Sequence, residues 1–192
     1  MNATPANVSD EALLIAFAKG DQRAARHLAD RLLPRALGQA ARMLSDRDEA
    51  EDVAQEAMMR LWRIAPDWRQ GEAQVSTWLY RVVANLCIDR LRRRRGRVGL
   101  DQVDEPRDET PEVTAQMQSQ ARLRALSDAL AQLPERQAQA VALRHLEGLS
   151  NPEIAQIMDI SVRSVESLTA RGKRALTDLM AGRKAELGYQ DE

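Results

Sequence analysis

One cysteine, Cys87, occurs in 192 residues, so no internal disulfide can form and a cross-linked secreted scaffold is excluded. Two histidines and that cysteine, none spaced as ligands, carry no metal-site signature. Aromatic residues make up 3% of the chain and hydrophobic residues 44%. Leu, Ala, Val, Ile and Met must therefore build the core, a mixture that favours helix over strand. No apolar run is long enough to span a bilayer, so membrane insertion is not expected. The opening "MNATPANVSDEALL" has no apolar signal segment, which makes the cytoplasm the expected compartment. No constellation of nucleophile, base and oxyanion donors stands out. Catalytic residues, metal and cofactor are accordingly all expected to be none, and the chain is not expected to be an enzyme.

What the chain does have is segregated charge. The formal net charge is −1, which by itself argues against nucleic acid as a partner. The sum conceals a strongly basic stretch, "DRLRRRRGR" at 89–97, and two acidic ones, "DRDEAEDVAQE" at 46–56 and "DQVDEPRDETPE" at 101–112. Charged residues are 30% overall, which suits a helical surface and is too low for a wholly disordered chain.

Apolar periodicity predicts helices throughout and strands nowhere. The first begins at Asp10, with Leu13, Leu14 and Phe17 on one face, and breaks at "KGD". A second covers 21–44, where Pro34 is expected to kink or split it. Ser45 is a good cap for a third, about 46–64, whose Val53, Ala57, Leu61 and Ile64 form one apolar stripe. A loop follows at 66–75, and Ser76 or Thr77 can cap the fourth helix, which Gly96 and Gly99 should end. Residues 96–112 read as a linker. "TPE" at 110–112 signals a fifth helix marked by Leu123, Leu126, Leu130 and Leu133, and a sixth starts at Pro134.

The sharpest local pattern is "SNPEIAQIMDISVRSVESLTARGKRAL". Ser150 and Ser161 cap two short helices, Ala155 is small where they cross, and Ile154, Met158, Ile160, Val165 and Leu168 are spaced to fill the wedge between them. This is the spacing of a helix-turn-helix, whose second helix enters the major groove of DNA. The turn holds Asp159 where glycine is common. The outward residues of the second helix are Arg163, Ser164, Glu166, Ser167, Arg171, Lys173 and Arg174. Arg and Lys suit phosphate or guanine, Ser suits phosphate or a base edge, and Glu accepts from cytosine. A helical hairpin with a merely solvated charged face is the alternative.

Two further stretches are open to two readings each. In "DEAEDVAQEAMMRLWR" acids lie beside Met58, Met59 and Trp62, which suits either a solvated helix start or a protein-docking surface. In "WLYRVVANLCIDRLRRRR" Leu79, Val83, Leu86 and Cys87 should face the core. Trp78, Tyr80 and Asn85 with the arginines suit single-stranded or opened nucleic acid, or else simple packing and a solubilising helix end.

The order of these motifs resembles the extracytoplasmic-function (group IV) sigma factors of bacterial RNA polymerase, over nearly everything from Asp10 to Met180. "DEAEDVAQEAMMRLWR" resembles the segment called region 2.2, "STWLYRVVANLCIDRLRRRR" regions 2.3 and 2.4, and "LPERQAQAVALRHLEGLSNPEIAQIMDISVRSVESLTARGKRAL" region 4. The resemblance implies an all-α fold of two small helical domains, a region 2 bundle over 10–96 and a region 4 helix-turn-helix domain over 116–182, joined by a flexible acidic linker at 97–115. It implies an alternative sigma factor that binds core polymerase through the β′ clamp helices and the β flap, directs it to promoters, and answers to an anti-sigma factor in a stress response.

The resemblance also assigns residues. Asp52, Gln55, Glu56, Trp62 and Arg63 would dock on the clamp helices. Trp68 and the loop 66–77, with Trp78, Tyr80 and Asn85, would hold a flipped base of the −10 element. Arg92, Arg93, Arg94, Arg95 and Arg97 would lie near promoter backbone. Arg163, Ser164, Glu166, Ser167, Arg171, Lys173 and Arg174 would face the −35 element. Two rivals stand beside this: a DNA-binding regulator that needs no polymerase, and a decoy that only captures an anti-sigma factor.

Overall fold

The structure is a computed structural model. It describes residues 8–69, 71, 74–98 and 111–181, with 97–98 and 111–117 as backbone only. Among the described residues there are eight α-helices and no strand. They are α1 (Asp10–Ala18), α2 (Gln22–Met43), α3 (Arg47–Ile64), α4 (Val75–Val98), α5 (Pro111–Gln132), α6 (Glu135–Val141), α7 (Asn151–Met158) and α8 (Val162–Ala181). A short 3-10 turn (Ala65–Asp67) follows α3, and a π-helical turn (Ala142–Leu146) extends α6.

Helix starts follow side-chain oxygens that satisfy otherwise unpaired backbone donors. Ser9 accepts from Ala12 N, and Asp21 from Arg23 N and Ala24 N. The cap of α3 is Asp46, which accepts from Glu49 N at 3.0 Å, and not Ser45. Ser45 instead accepts from Arg94 on α4 at 3.2 Å. Neither Ser76 nor Thr77 starts α4, because the helix already runs from Val75.

Pro34 does not split its helix, and Gly96 does not end its own. α2 continues through Pro34 as one helix. An interior proline costs about 3 kcal/mol, but Leu28, Leu32, Ala36 and Ala40 on either side of it are all buried and hold the helix together. α4 continues through Gly96 to Val98. A helical glycine costs only about 1 kcal/mol, and the arginines before it sit favourably at the negative end of the helix dipole. Gly99, Thr110 and most of the expected linker lie outside the described residues. α5 begins at Pro111, the first helical position that "TPE" signals.

The bundle α1–α4 packs around Leu14, Leu28, Leu32, Met43, Val53, Leu61 and Ile88. This core does not stop at the domain boundary, since Leu130, Leu133, Ala138 and Val141 from α5 and α6 belong to it. Ser127 on α5 donates to the Met43 carbonyl at the end of α2. A second core, Leu143, Ile154, Ile157, Met158 and Val165, fills the helix-turn-helix. The stripe expected on α5 is buried only at its C-terminal end: Leu123 is 43% exposed, Leu126 is half-buried, and Leu130 and Leu133 are buried.

Candidate functional site

Three helical faces carry the residues singled out from the sequence. On α3 the apolar stripe turns inward, and Asp52, Gln55, Glu56 and Arg63 are exposed on the opposite side. Met59 is 61% exposed, a large apolar group held in water beside acids. Met58 is buried and takes no part in that surface. Trp62 is half-buried, its ring edge-on to Phe17 with centroids 4.8 Å apart. Glu56 pairs with Arg60 at 2.8 Å, and Asp52 with Arg90 of α4 at 3.3 Å. These pairs are exposed and contribute little to stability, so the carboxylates can exchange partners at low cost.

The second face is α4 with the loop before it. Leu79, Val83, Leu86 and Cys87 are buried, as their spacing predicts. Burial pushes the Cys87 thiol far above its ordinary range. Trp78 and Trp68 meet edge to face at 6.5 Å, and both pack on the first core. The loop turns at Gly71, where φ is +88°, and the Gly71 amide donates to Glu11 of α1 at 2.9 Å.

The aromatic and polar residues of this face do not look into open solvent. Tyr80 packs against the second core, and Asn85 Oδ1 accepts from Gln139 Nε2 of α6 at 3.1 Å. Arg81 donates from Nε to the Ile157 carbonyl and from Nη2 to the Gln156 carbonyl, at the end of α7. Arg92 is tied to Glu135 at 3.3 Å and to the Leu133 carbonyl at 3.2 Å. Of the arginine run only Arg93 and Arg95 are exposed; Arg92 and Arg94 are half-buried, and the Arg97 side chain lies outside the described residues. A cleft of about 650 Å³ remains over the loop, between Asp10, Glu11, Ser76 and Thr77 on one side and Gln156 and Asp159 on the other.

The third face is the helix-turn-helix. Ser150 and Glu153 form a reciprocal cap at the start of α7, with Ser150 N to Glu153 Oε2 at 2.7 Å. Asp159 adopts the left-handed conformation the turn requires, with φ 53° and ψ 57°. Ser161 caps α8 through Ser164 N at 3.2 Å. Ile154, Met158 and Val165 are buried between the helices, and Ile160 and Leu168 pack against them. All seven outward residues, Arg163, Ser164, Glu166, Ser167, Arg171, Lys173 and Arg174, are exposed on one continuous helix. Burial, followed by the nearby Lys173 and Arg144, holds the His145 imidazole below its ordinary range.

Sequence reasoning missed the residues that join the units. Arg42 on α2 grips Glu147 through two hydrogen bonds, Nε to Oε1 at 2.9 Å and Nη2 to Oε2 at 2.5 Å. Gln139 and Arg81 were missed with it. Contacts between residues so distant in sequence leave no periodic signal. Gly172, buried inside α8, was missed as well. Its signal was legible in principle, as a glycine in the middle of a helical pattern. No metal-binding group of three or more His, Cys, Asp or Glu occurs among the described residues, and no described helix is long and apolar enough to cross a membrane.

An exposed helix-turn-helix reading face on the same chain as an acidic, Met-bearing helix and an arginine-rich helix defines a DNA-binding regulator of transcription. Residues 28–97 match the family described as Sigma-70 region 2, and residues 123–176 that described as Sigma-70, region 4. The chain is 34% identical to the ECF RNA polymerase sigma factor SigM of Mycobacterium tuberculosis over 90% of this chain and 85% of that protein. It is 32% identical to the ECF RNA polymerase sigma-E factor of Haemophilus influenzae over 88% of this chain and 94% of that protein. A match to SigE of Mycolicibacterium smegmatis, at 33% identity over 77% of this chain, spans 58% of that relative's length. The fold is also that of CnrH, solved in complex with the cytosolic domain of CnrY, at TM-score 0.60 and 24% identity over 91% of this chain and 99% of that one. The sigma factor RpoE of Bartonella quintana, solved with the anti-sigma factor NepR, gives TM-score 0.51 at 20% identity, over 81% of this chain and 96% of that one. The chain belongs to the ECF RNA polymerase sigma factors, alternative sigma factors that direct the polymerase to promoters.

Proposed function

We propose that the chain acts as a two-point promoter reader carried by core polymerase in the cytoplasm, with the chemistry left to the polymerase. Asp52, Gln55, Glu56, Trp62 and Arg63 form the docking surface for the β′ clamp helices, with Met59 as an added apolar contact. Trp68, Trp78, Tyr80 and Asn85 receive a flipped base of the −10 element, where unstacking costs a few kcal/mol and must be offset by stacking and hydrogen bonds. Arg92, Arg93, Arg94 and Arg95 follow the phosphate backbone. Arg163, Ser164, Glu166, Ser167, Arg171, Lys173 and Arg174 face the −35 element.

The observation that carries this reading is the exposure of the whole outward row of α8 together with the acidic row of α3 on a single chain. A regulator independent of polymerase has no use for the second. Control by an anti-sigma factor is part of the proposal, since RpoE of Bartonella quintana is captured by one.

Run-off transcription with bacterial core polymerase and promoter fragments from the source genome tests the reading. Transcripts that need the protein, and that fade in a D52A/Q55A variant, support it. Core binding without any transcript would point to a decoy. Tight duplex binding with no core binding would point to an independent regulator.

A further inference from the structure

Gln39 lies within α2 and is 1% exposed, a primary amide sunk in the apolar face of that helix. Its Nε2 donates to the Tyr80 carbonyl of α4 at 3.0 Å. We infer that Gln39 is a positioning residue for −10 recognition: its amide fixes the rotation of α4 about its own axis, and so the direction in which Tyr80 meets the opened strand. The inference rests on the assignment of Tyr80 to the −10 element made above.

Three observations carry it. The first is that neither backbone nor stability asks for this bond. Tyr80 lies in the second turn of α4. A carbonyl inside a helix already accepts from the amide four residues on, and its second lone pair is optional. Gln39 takes that second lone pair. An apolar side chain of the same length would leave no backbone group orphaned. Burying an amide also costs desolvation that one neutral hydrogen bond does little more than offset. The neighbours on the buried face of α2 are Leu32, Ala36, Ala40 and Met43, all apolar. A single directional bond in such a contact specifies geometry rather than adding strength.

The second is slack in the packing at the same place. A cavity of about 10 Å³ lies between Arg35, Ala36 and Gln39 of α2 and Ser76, Leu79 and Tyr80 of α4. Side chains that leave a gap lose their contacts across it, so apolar packing resists rotation of α4 weakly here. The Gln39 bond spans the two helices beside that gap.

The third is where Tyr80 stands on its helix. Leu79 and Val83 point into the core, and Tyr80 is half-buried at the edge of their face. Successive residues of a helix are about 100° apart. A modest turn of α4 therefore carries Tyr80 either further into the core or away from its present direction, while Leu79 and Val83 stay inside. The acceptor is the backbone of Tyr80 itself, so the restraint acts on this residue with no intermediary.

The test uses the full chain with core polymerase and a promoter mapped by run-off transcription. Gln39→Met keeps the length of the side chain and removes the donor, and Gln39→Leu removes it in a second shape. Thermal denaturation, core binding, and transcription from the mapped promoter and its single-base −10 variants are measured. Q39M should melt no lower than the parent and bind core equally well. Its discrimination between the mapped −10 element and the variants should fall about fivefold, with discrimination at the −35 element unchanged. Y80A should lower the same −10 discrimination, and Q39M/Y80A should be no worse than Y80A, because a residue acting through Tyr80 then has nothing left to position.

Unchanged −10 discrimination in Q39M and Q39L would overturn the inference, as would an effect that adds in full to that of Y80A. Loss of folding in both variants would show the amide to be structural and would overturn it equally. The Y80A result says how much else falls. If Y80A lowers −10 discrimination and Q39M does not, the assignment of Tyr80 stands and only the positioning role is wrong. If Y80A changes nothing, the assignment of Tyr80 fails and the inference falls with it.

Discussion

Gly172 of α8 lies against Val141 of α6 so closely that a Cβ built on it would be 2.6 Å from Val141 Cγ2 and 3.2 Å from the Gln137 carbonyl oxygen. Helix α8 is therefore seated by the absence of a side chain. A Gly→Ala change inside a helix ordinarily gains about 1 kcal/mol. At this position a stiff β-branched neighbour and a backbone oxygen must both move, at a cost of about 1–3 kcal/mol. G172A should lower the melting temperature and reduce transcription from −35-dependent promoters. Thermal denaturation and run-off assays on the same sample check this.

Asp159 makes the opposite prediction. A left-handed conformation costs an L-residue about 1–2 kcal/mol, while a new glycine adds unfolded-state entropy worth about 0.4–1 kcal/mol. D159G should stabilise the protein by about 0.5 kcal/mol and leave the promoter unchanged, because φ 53° is already the geometry of the turn. Urea denaturation gives the first quantity and a promoter panel the second.

The α7 cap gives a pH dependence. Hydrogen bonds from the Ser150 side chain and backbone hold the Glu153 carboxyl below its ordinary range. A carboxyl whose folded value is depressed adds stability above its unfolded value, and that stability is lost as pH falls through the folded one. S150A should cost about 1 kcal/mol at neutral pH. The difference from the parent should shrink as the solution is acidified below the carboxylate range. Parallel denaturation curves, with NMR titration of Glu153 moving upward in S150A, check the sign.

Arg93 and Arg95 are exposed among the described side chains of the arginine run. If they meet phosphates, R93A and R95A should each weaken promoter binding by the holoenzyme about equally across sequences. Each should also reduce the slope of log affinity against log salt by about 1. A change in sequence preference at constant slope would contradict backbone contact.

The helix-turn-helix was legible because its logic is local. Ser150, Ile154, Val165 and Leu168 sit within one stretch of chain, and their spacing alone fixes caps and faces. The α3 stripe was legible for the same reason. Cap choice was less so, since Ser45 and Asp46 are adjacent and chemically alike; Arg94, a distant residue, takes the Ser45 hydroxyl. Pro34 and Gly96 carry correct local penalties that tertiary burial and helix-end charge outweigh. Leu123 shows that periodicity marks an apolar stripe without saying how far along it a partner extends. The partners of Asn85 and Arg81 were beyond reach, because Gln139, Gln156 and Ile157 are set by how two units dock.

The C-terminal unit is gripped by its back. Arg81 holds the end of α7 and Gln139 projects from α6, while the outward row of α8 stays exposed. The two faces are therefore unequal in this arrangement: residues on α4 share their polar groups with α6 and α7, while the row on α8 stays open to solvent.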